Sequence, residues 1–249
     1  MIDLHCHILP GLDDGSQSFE ESLAMADMAA GHGIRQIAVT PHCVTGRVGE
    51  VLEGVQLLQA LLEEEHIPVR LYPGMEIFGT YDTARLLRER KLLTLGGSRY
   101  PLIEFAFHTD GEEETEILQS VIDAGFTPLV AHPERYSYIC DEPELVNRWC
   151  AMGCLFQVNR GSLLGRYGYA SQQMAMALVR RGFATVVATD AHSPVVRTPR
   201  AKDVYALLSE RVSPLAAEVL MRRNPERIIK NQPLQPAEPD WFGERGRIL

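Results

Sequence analysis

Long apolar runs are missing from this sequence: none of its 249 residues belongs to a stretch near the roughly 20 apolar residues that a membrane-spanning helix needs. Basic residues are outnumbered. Lys and Arg total 24 against 33 Asp and Glu, a formal net charge of −9. Phosphate backbones call for clustered cations, so this balance argues against nucleic acid as a partner. Cysteine is scarce: five residues, an odd number, without the paired spacing of metal fingers. Met1 leads straight into an apolar strand, and no signal peptide is expected. A reduced, cytoplasmic protein that does not insert into membranes is the simplest expectation. Internal repeats are absent too, and no linker is visible before about residue 231. Beyond it, Pro233, Pro236 and Pro239 mark a proline-rich tail, either an ordered strap or a disordered end. The expected division is one domain over 1–230 and a tail over 231–249.

What is present is an alternation of apolar strands and amphipathic helices. Strands are expected at 2–4, 34–40, 68–72, 101–103, 127–131, 155–158 and 184–188. Ser18-Phe-Glu-Glu21 has the form of a helix-opening capping box, with Phe19, Leu23, Ala26 and Ala30 as the buried stripe. Further helices are expected at 51–65, 81–91, 110–125, 142–152, 171–181, 201–210 and 214–223, and a mobile loop at 43–50. Regular alternation of this kind implies parallel strands with helical crossovers, an α/β fold.

In parallel α/β folds the working groups sit just past the carboxyl ends of the strands. Here the first strand runs into His5-Cys-His7, whose imidazoles point the same way in an extended chain. Asp14 follows after a turn built from Pro10, Gly11 and Gly15. The second strand leads to His42, the third to Glu76, the fourth to Glu104 and the fifth to His132. The seventh leads to Asp190 and His192. One such group is usually a cap or a hydrogen-bonded polar residue. Six of seven strands delivering one to the same rim points instead to a multi-metal site. Clustered carboxylates without cations would repel one another. Nine donors, some bridging, suit two or three ions, and mixed imidazole and carboxylate donors favour Zn, Mn or Fe over Mg or Ca. Arg135 and Arg197 follow the same strand ends, and Arg160 follows the sixth; a guanidinium is a planar fork suited to phosphate oxygens.

One pattern competes. Cys154 and Arg160 have the Cys-x5-Arg spacing of cysteine-dependent phosphatases. That chemistry needs a loop of backbone N–H groups around the phosphate and a thiol of depressed pKa. The residues between are an apolar strand without glycine, with Cys154, Phe156 and Val158 on one core face.

The segments His5-Cys-His-Ile-Leu-Pro-Gly-Leu-Asp-Asp-Gly15, Ala38-Val-Thr-Pro-His42, Pro73-Gly-Met-Glu-Ile77, Leu102-Ile-Glu-Phe105, Ala131-His-Pro-Glu-Arg-Tyr136, Ser162-Leu-Leu-Gly165 and Thr189-Asp-Ala-His192 resemble the polymerase-and-histidinol-phosphatase (PHP) superfamily. Within it they look like the metal-dependent protein-tyrosine phosphatases of bacterial capsule and exopolysaccharide operons. The resemblance runs to about Glu226 and implies a distorted seven-stranded (β/α)7 TIM-like barrel. It implies His5, His7, Glu76 and Asp190 on one ion, with Glu76 bridging to a second held by Glu104 and His132. Asp14, His42 and His192 would hold the third. Manganese is the first expectation, with zinc or iron as alternatives. Arg135 and Arg197 match the family's phosphate-binding arginines. Arg160 is a departure, standing where a small residue is expected; an extra guanidinium there could tighten phosphate binding or narrow substrate choice.

The implied reaction is hydrolysis of phosphotyrosine on a tyrosine autokinase with a tyrosine-rich tail. Bridging water, acidified from a pKa of about 15.7 toward 7 by the cations, would attack phosphorus. A tyrosyl leaving group, with a pKa of about 10, needs little protonation, which favours aryl phosphates. The competing readings are a small-molecule phosphatase such as histidinol-phosphatase, or a phosphoesterase, of the same superfamily, and a metal-binding regulatory module without turnover. The sequence does not specify an oligomeric state.

Overall fold

A computed structural model describes residues 1–43, 46–234 and 238–243. Its strands are β1 (Ile2–Cys6), β2 (Gln36–Val39), β3 (Arg70–Pro73), β4 (Glu76–Phe78), β5 (Leu102–Glu104), β6 (Leu129–Ala131), β7 (Leu155–Asn159) and β8 (Ala184–Ala188). They form two parallel sheets, β1-β2-β3 and β4-β5-β6-β7-β8, in chain order. The fold is therefore α/β, as expected, but with eight strands among the described residues where the sequence suggests seven.

The extra strand arises at Pro73-Gly74. Proline has no N–H for a ladder, so β3 ends there. A Cβ at Gly74 would lie 3.2 Å from the Val39 carbonyl oxygen, so glycine lets the backbones approach. The chain resumes at Glu76 and pairs with β5 instead of β2. The two sheets meet through isolated parallel bridges, His42 with Glu76 and Cys6 with Ala191. Glu76 N–H donates to Pro41 O at 3.0 Å and Cys43 N–H to Glu76 O at 2.8 Å. On the other seam, Asp190 N–H donates to His5 O at 2.9 Å and His7 N–H to Ala191 O at 2.8 Å. Both seams close at the carboxyl ends of the strands, among the candidate ligands.

Between the strands run α1 (Phe19–Gly31), α2 (Val48–Glu64), α3 (Thr83–Arg88), α4 (Glu112–Asp123), α5 (Ser137–Asp141), α6 (Glu144–Met152), α7 (Arg160–Leu163) and α8 (Tyr169–Arg180). After β8 come α9 (Lys202–Arg211), α10 (Pro214–Glu218), a π-helical turn (Val219–Arg223) and α11 (Asn224–Ile229). Ser18 caps α1 by accepting from Glu21 N–H. The buried stripe of α1 is Ser22, Met25, Ala26 and Ala29, rotated from the expected one. Ser22 faces inward because its hydroxyl donates to Ile8 O at 2.6 Å; Phe19, Leu23 and Ala30 are only partly buried. Helix α2 buries Val51, Val55, Leu58 and Leu62 as its period demands. It begins at Val48, shortening the expected 43–50 loop, of which Val44 and Thr45 lie outside the described residues. No described helix is long and apolar enough to cross a membrane.

The period of two in each strand sorts side chains into two apolar clusters. Ile37, Val39, Ile103, Val130, Phe156, Val158 and Val187 pack against helix residues such as Met25, Leu58, Leu118 and Leu178. Their neighbours Ala38, Leu102, Leu129, Ala131 and Val186 form the other cluster with Ile2, Leu4, Tyr100, Ile228 and Ile229. Continued toward the carboxyl ends, that second alternation turns polar: Thr40, Glu76, Glu104, Gln157 and Asn159 occupy the next positions. Of the proline-rich tail, described residues 238–243 strap the surface. Phe242 stacks on Phe183, with ring centroids 5.2 Å apart, and exchanges hydrogen bonds with the Asn147 side chain at 2.9 and 3.0 Å. Residues 235–237 and 244–249 lie outside the described residues.

Candidate metal centre

All nine expected donors gather at the carboxyl ends of the strands. They fall into four groups whose ligand atoms lie within 4.8 Å of one another: His5, His7 and Asp190; His5, Glu76 and His132; His42, Glu76 and Glu104; His7, Asp14, His42 and His192. Glu76, the first residue of β4, is the hub. Its Oε2 is 3.1 Å from His5 Nε2, 3.2 Å from His7 Nε2 and 3.2 Å from His42 Nδ1. Its Oε1 is 2.8 Å from His132 Nε2. The Asp14, His42, His192 set implied by the resemblance comes together with His7 added. Glu104 and His132 are farther apart, at 4.0 Å, and each meets Glu76 separately.

The centre is buried at one end and open at the other. His5, His7, Glu76, His132 and Asp190 are at most 2% exposed, whereas the side chains of His42 and Asp14 are 40% and 66% exposed. His132 and Asp190 adopt left-handed backbone angles, φ 35° and 51°, which non-glycine residues seldom take. Each directly follows a strand or its last extended residue, where such a turn aims the side chain into the cluster.

The donors fit a set of cations better than they fit one another. His5 Nε2 and His7 Nε2 face each other at 3.1 Å, and Asp190 Oδ1 and His192 Nε2 are buried without hydrogen-bond partners. Buried polar atoms of this kind are costly unless something coordinates them. Outer contacts leave the inner nitrogens available. His5 Nδ1 donates to Gln157 Oε1 at 2.9 Å, and His7 Nδ1 to Asp13 Oδ2 at 2.7 Å, which frees each Nε2 lone pair for the centre. Gln157 Nε2 donates to Asn159 Oδ1 at 2.6 Å, and Asn159 Nδ2 to Asp190 Oδ2 at 2.6 Å. This chain links two donors through β7, and Glu134 Oε1 anchors it by accepting from Asn159 N–H at 2.9 Å. Asp13, Gln157 and Asn159 escape the sequence reading. The signal for the last two is the polar face of β7 opposite Phe156 and Val158; Asp13 is masked by its neighbour Asp14.

Electrostatics follow from this packing. Burial opposes charge on His5, but the adjacent Glu76 and Asp190 carboxylates outweigh it and push its pKa up to about 10. The hydrogen bond to Glu104 raises His42 to about 9 against partial burial. Burial, with His7 and Arg197 nearby, lowers His192 to about 3. Asp190 is lowered despite burial by His5 and Arg197. The metal-free centre thus holds protons on His5 and His42 at pH 7, and a coordinating imidazole must shed its proton. Calorimetric titration of Mn2+ in buffers of different ionisation enthalpy is therefore expected to show proton release at pH 7. Affinity should fall at least about tenfold per pH unit as pH drops from 8 to 6. A pH-independent affinity would contradict this proton inventory.

Arg135 and Arg197 converge on the outer side of Asp190. Its Oδ2 lies 2.5 Å from Arg197 Nη2 and 3.6 Å from Arg135 Nη1. Arg160 is otherwise engaged. It is 2% exposed, its Nε donates to Asp203 Oδ1 at 2.8 Å, and Nη2 also binds Asp203. Its Nη1 reaches Thr198 O at 3.4 Å. An internal ion pair with α9 occupies the guanidinium, so reaching a phosphate would mean breaking that pair. Cys154 is buried at the start of β7, and burial pushes its thiol up to about 12, the opposite of a nucleophile's requirement. Cys154→Ser is expected to keep phosphatase kcat/KM within about twofold while losing about 1–3 kcal/mol of stability from burying a hydroxyl. Loss of activity in the folded variant would revive the cysteine reading.

Residues 1–230 match the family described as capsular polysaccharide synthesis, CpsB/CapC. The tyrosine-protein phosphatase YwqE of Bacillus subtilis is 34% identical over 246 residues, covering 96% of each chain. The tyrosine-protein phosphatase CpsB of Streptococcus pneumoniae is 30% identical over 241 residues, 93% of this chain and 99% of its own. A solved structure from work on these two proteins, described as unique metal-dependent tyrosine phosphatases, superposes with a TM-score of 0.90 at 32% identity. It covers 96% of this chain and 99% of that one. This chain belongs to the CpsB/CapC family.

Proposed function

We propose that this chain is a metal-dependent protein-tyrosine phosphatase. The observation that carries the reading is the gathering of nine metal-type donors, Glu76 among them, into overlapping groups, with Arg135 and Arg197 beside them. His5, His7, Asp14, His42, Glu76, Glu104, His132, Asp190 and His192 would hold two or three divalent ions, manganese first among the candidates. Such ions supply Lewis acidity and a water acidified toward neutral pH.

The chain's own residues do the rest. Arg135 and Arg197 would bind the phosphoryl oxygens, already oriented by the shared Asp190 carboxylate. Gln157 and Asp13 hold the His5 and His7 rings in the tautomer that donates through Nε2. Asp14 and His42, the exposed members, mark the side from which substrate enters. A phenolate leaves with little protonation, so aryl phosphate is the favoured class. The family resemblance suggests a tyrosine autokinase with a tyrosine-rich tail as substrate, met in the cytoplasm. We assign the catalytic unit to residues 1–230, folded as a distorted barrel, with 231–249 as a tail.

The test is hydrolysis of matched phosphotyrosine and phosphoserine peptides and of histidinol phosphate by the metal-loaded protein, with metal content measured before and after chelation. Turnover of the phosphotyrosine peptide should exceed the others and vanish on chelation. Equal turnover of the two peptides, or far faster turnover of histidinol phosphate, would defeat the assignment.

A further inference from the structure

Arg135 is flanked by two aromatic rings. Its guanidinium carbon lies 4.6 Å from the Phe107 ring centroid and 4.4 Å from that of Tyr167, while Nη1 faces Asp190. The three side chains come from separate segments, after β5, after β6 and after α7. Each ring is brought there by its backbone. Ser137, two residues past Arg135, donates its N–H and its hydroxyl to Phe107 O, both at 2.9 Å. Phe107 is thereby tied to the turn that carries Arg135.

Tyr167 returns over α7 through a tight turn. Gly165 N–H donates to Ser162 O and Arg166 N–H to Gly161 O, each at 2.9 Å, and Gly165 takes φ 77°. A Cβ on Gly161 would sit 2.6 Å from Tyr167 Cε2, so glycine there makes the room the ring needs. Arg166 Nη1 also donates to Val196 O at 3.1 Å, which connects this turn to the loop of Arg197.

A guanidinium has flat faces and a rim of N–H donors. Rings placed over it attract the charge and leave the rim free for oxygen acceptors. Phe107 is 36% exposed, so core burial does not account for its position. We infer that Phe107 and Tyr167 are positioning residues that hold the Arg135 guanidinium in the orientation that receives phosphate. This rests on the phosphatase reading above, in which Arg135 binds the phosphoryl group. The rings limit the rotamers open to Arg135 before substrate arrives, which lowers the ordering cost of binding.

The experiment measures inorganic phosphate binding to the metal-loaded protein by calorimetry, alongside kcat and KM for para-nitrophenyl phosphate and metal content. Tyr167→Leu and Phe107→Leu should each weaken phosphate binding and raise KM by roughly tenfold, with metal content unchanged. Gly161→Ala, which displaces the Tyr167 ring, should do the same. Tyr167→Phe should stay within about twofold of the unmodified protein, because it keeps the ring face. In an Arg135→Ala background, Tyr167→Leu should add nothing further, the signature of action through Arg135. Unchanged phosphate affinity in both leucine variants, an equal loss in the Arg135→Ala background, or a Tyr167→Phe loss as large as that of Tyr167→Leu would overturn the inference. If the unmodified metal-loaded protein binds no phosphate, the phosphatase reading falls first and the inference falls with it.

Discussion

Glu76→Gln is expected to lower kcat/KM on a phosphotyrosine peptide by on the order of 10³-fold or more, since bound cations supply several kcal/mol of charge stabilisation. The substitution keeps shape and volume and removes one charge. Glu76 Oε2 contacts His5, His7 and His42 at 3.1–3.2 Å, and Oε1 contacts His132 at 2.8 Å. Among the described residues, no other donor meets four imidazoles. An amide there would turn N–H groups toward nitrogens that must themselves donate lone pairs, so at least one ion should be lost. Elemental analysis of the purified variant should show lower metal content than the unmodified protein, with circular dichroism unchanged. Full metal content combined with full activity would remove Glu76 from the centre of the site.

Arg197→Ala should separate phosphate binding from metal binding. Removing a preorganised charge aimed at the developing negative charge costs roughly 10²–10³-fold in rate. Arg197 is 2.5 Å from Asp190 Oδ2, but Asn159 also holds that oxygen at 2.6 Å, so Asp190 stays in place without it. The metal content of Arg197→Ala should therefore match that of the unmodified protein. Arg197→Lys should recover only part of the loss, because an ammonium is a point charge without the planar fork. Loss of metal in step with activity would show that Arg197 supports Asp190 and not the substrate.

Much of this was readable from residue order. Six of the donors stand at or just past the end of an apolar segment, and strand ends in parallel α/β folds share one rim, so His5, His42, Glu76, Glu104, His132 and Asp190 can be grouped from the sequence. Helices follow from residue order where their apolar period is strong, as in α2; α1 also lies where its capping box places it, and only its buried stripe differs, because the polar Ser22 turns inward. Residue order yields one strand too few because Pro73-Gly74 reads as the end of one strand, and nothing local says that the next residues pair with a new neighbour.

The sequence by itself determined the chemistry available: nine imidazole and carboxylate donors, arginines beside them, and apolar strands to carry them. Local order and side-chain type are enough for that, because period and punctuation are properties of neighbours in the chain. Only the tertiary structure decided which donors share an ion-sized space, that Arg160 pairs with Asp203 and that Asp13, Gln157 and Asn159 support the centre. It also set Arg135 between rings from two other segments. Those contacts join residues far apart in sequence, and hydrogen bonds and packing of a few ångströms select among partners that residue type alone leaves equivalent.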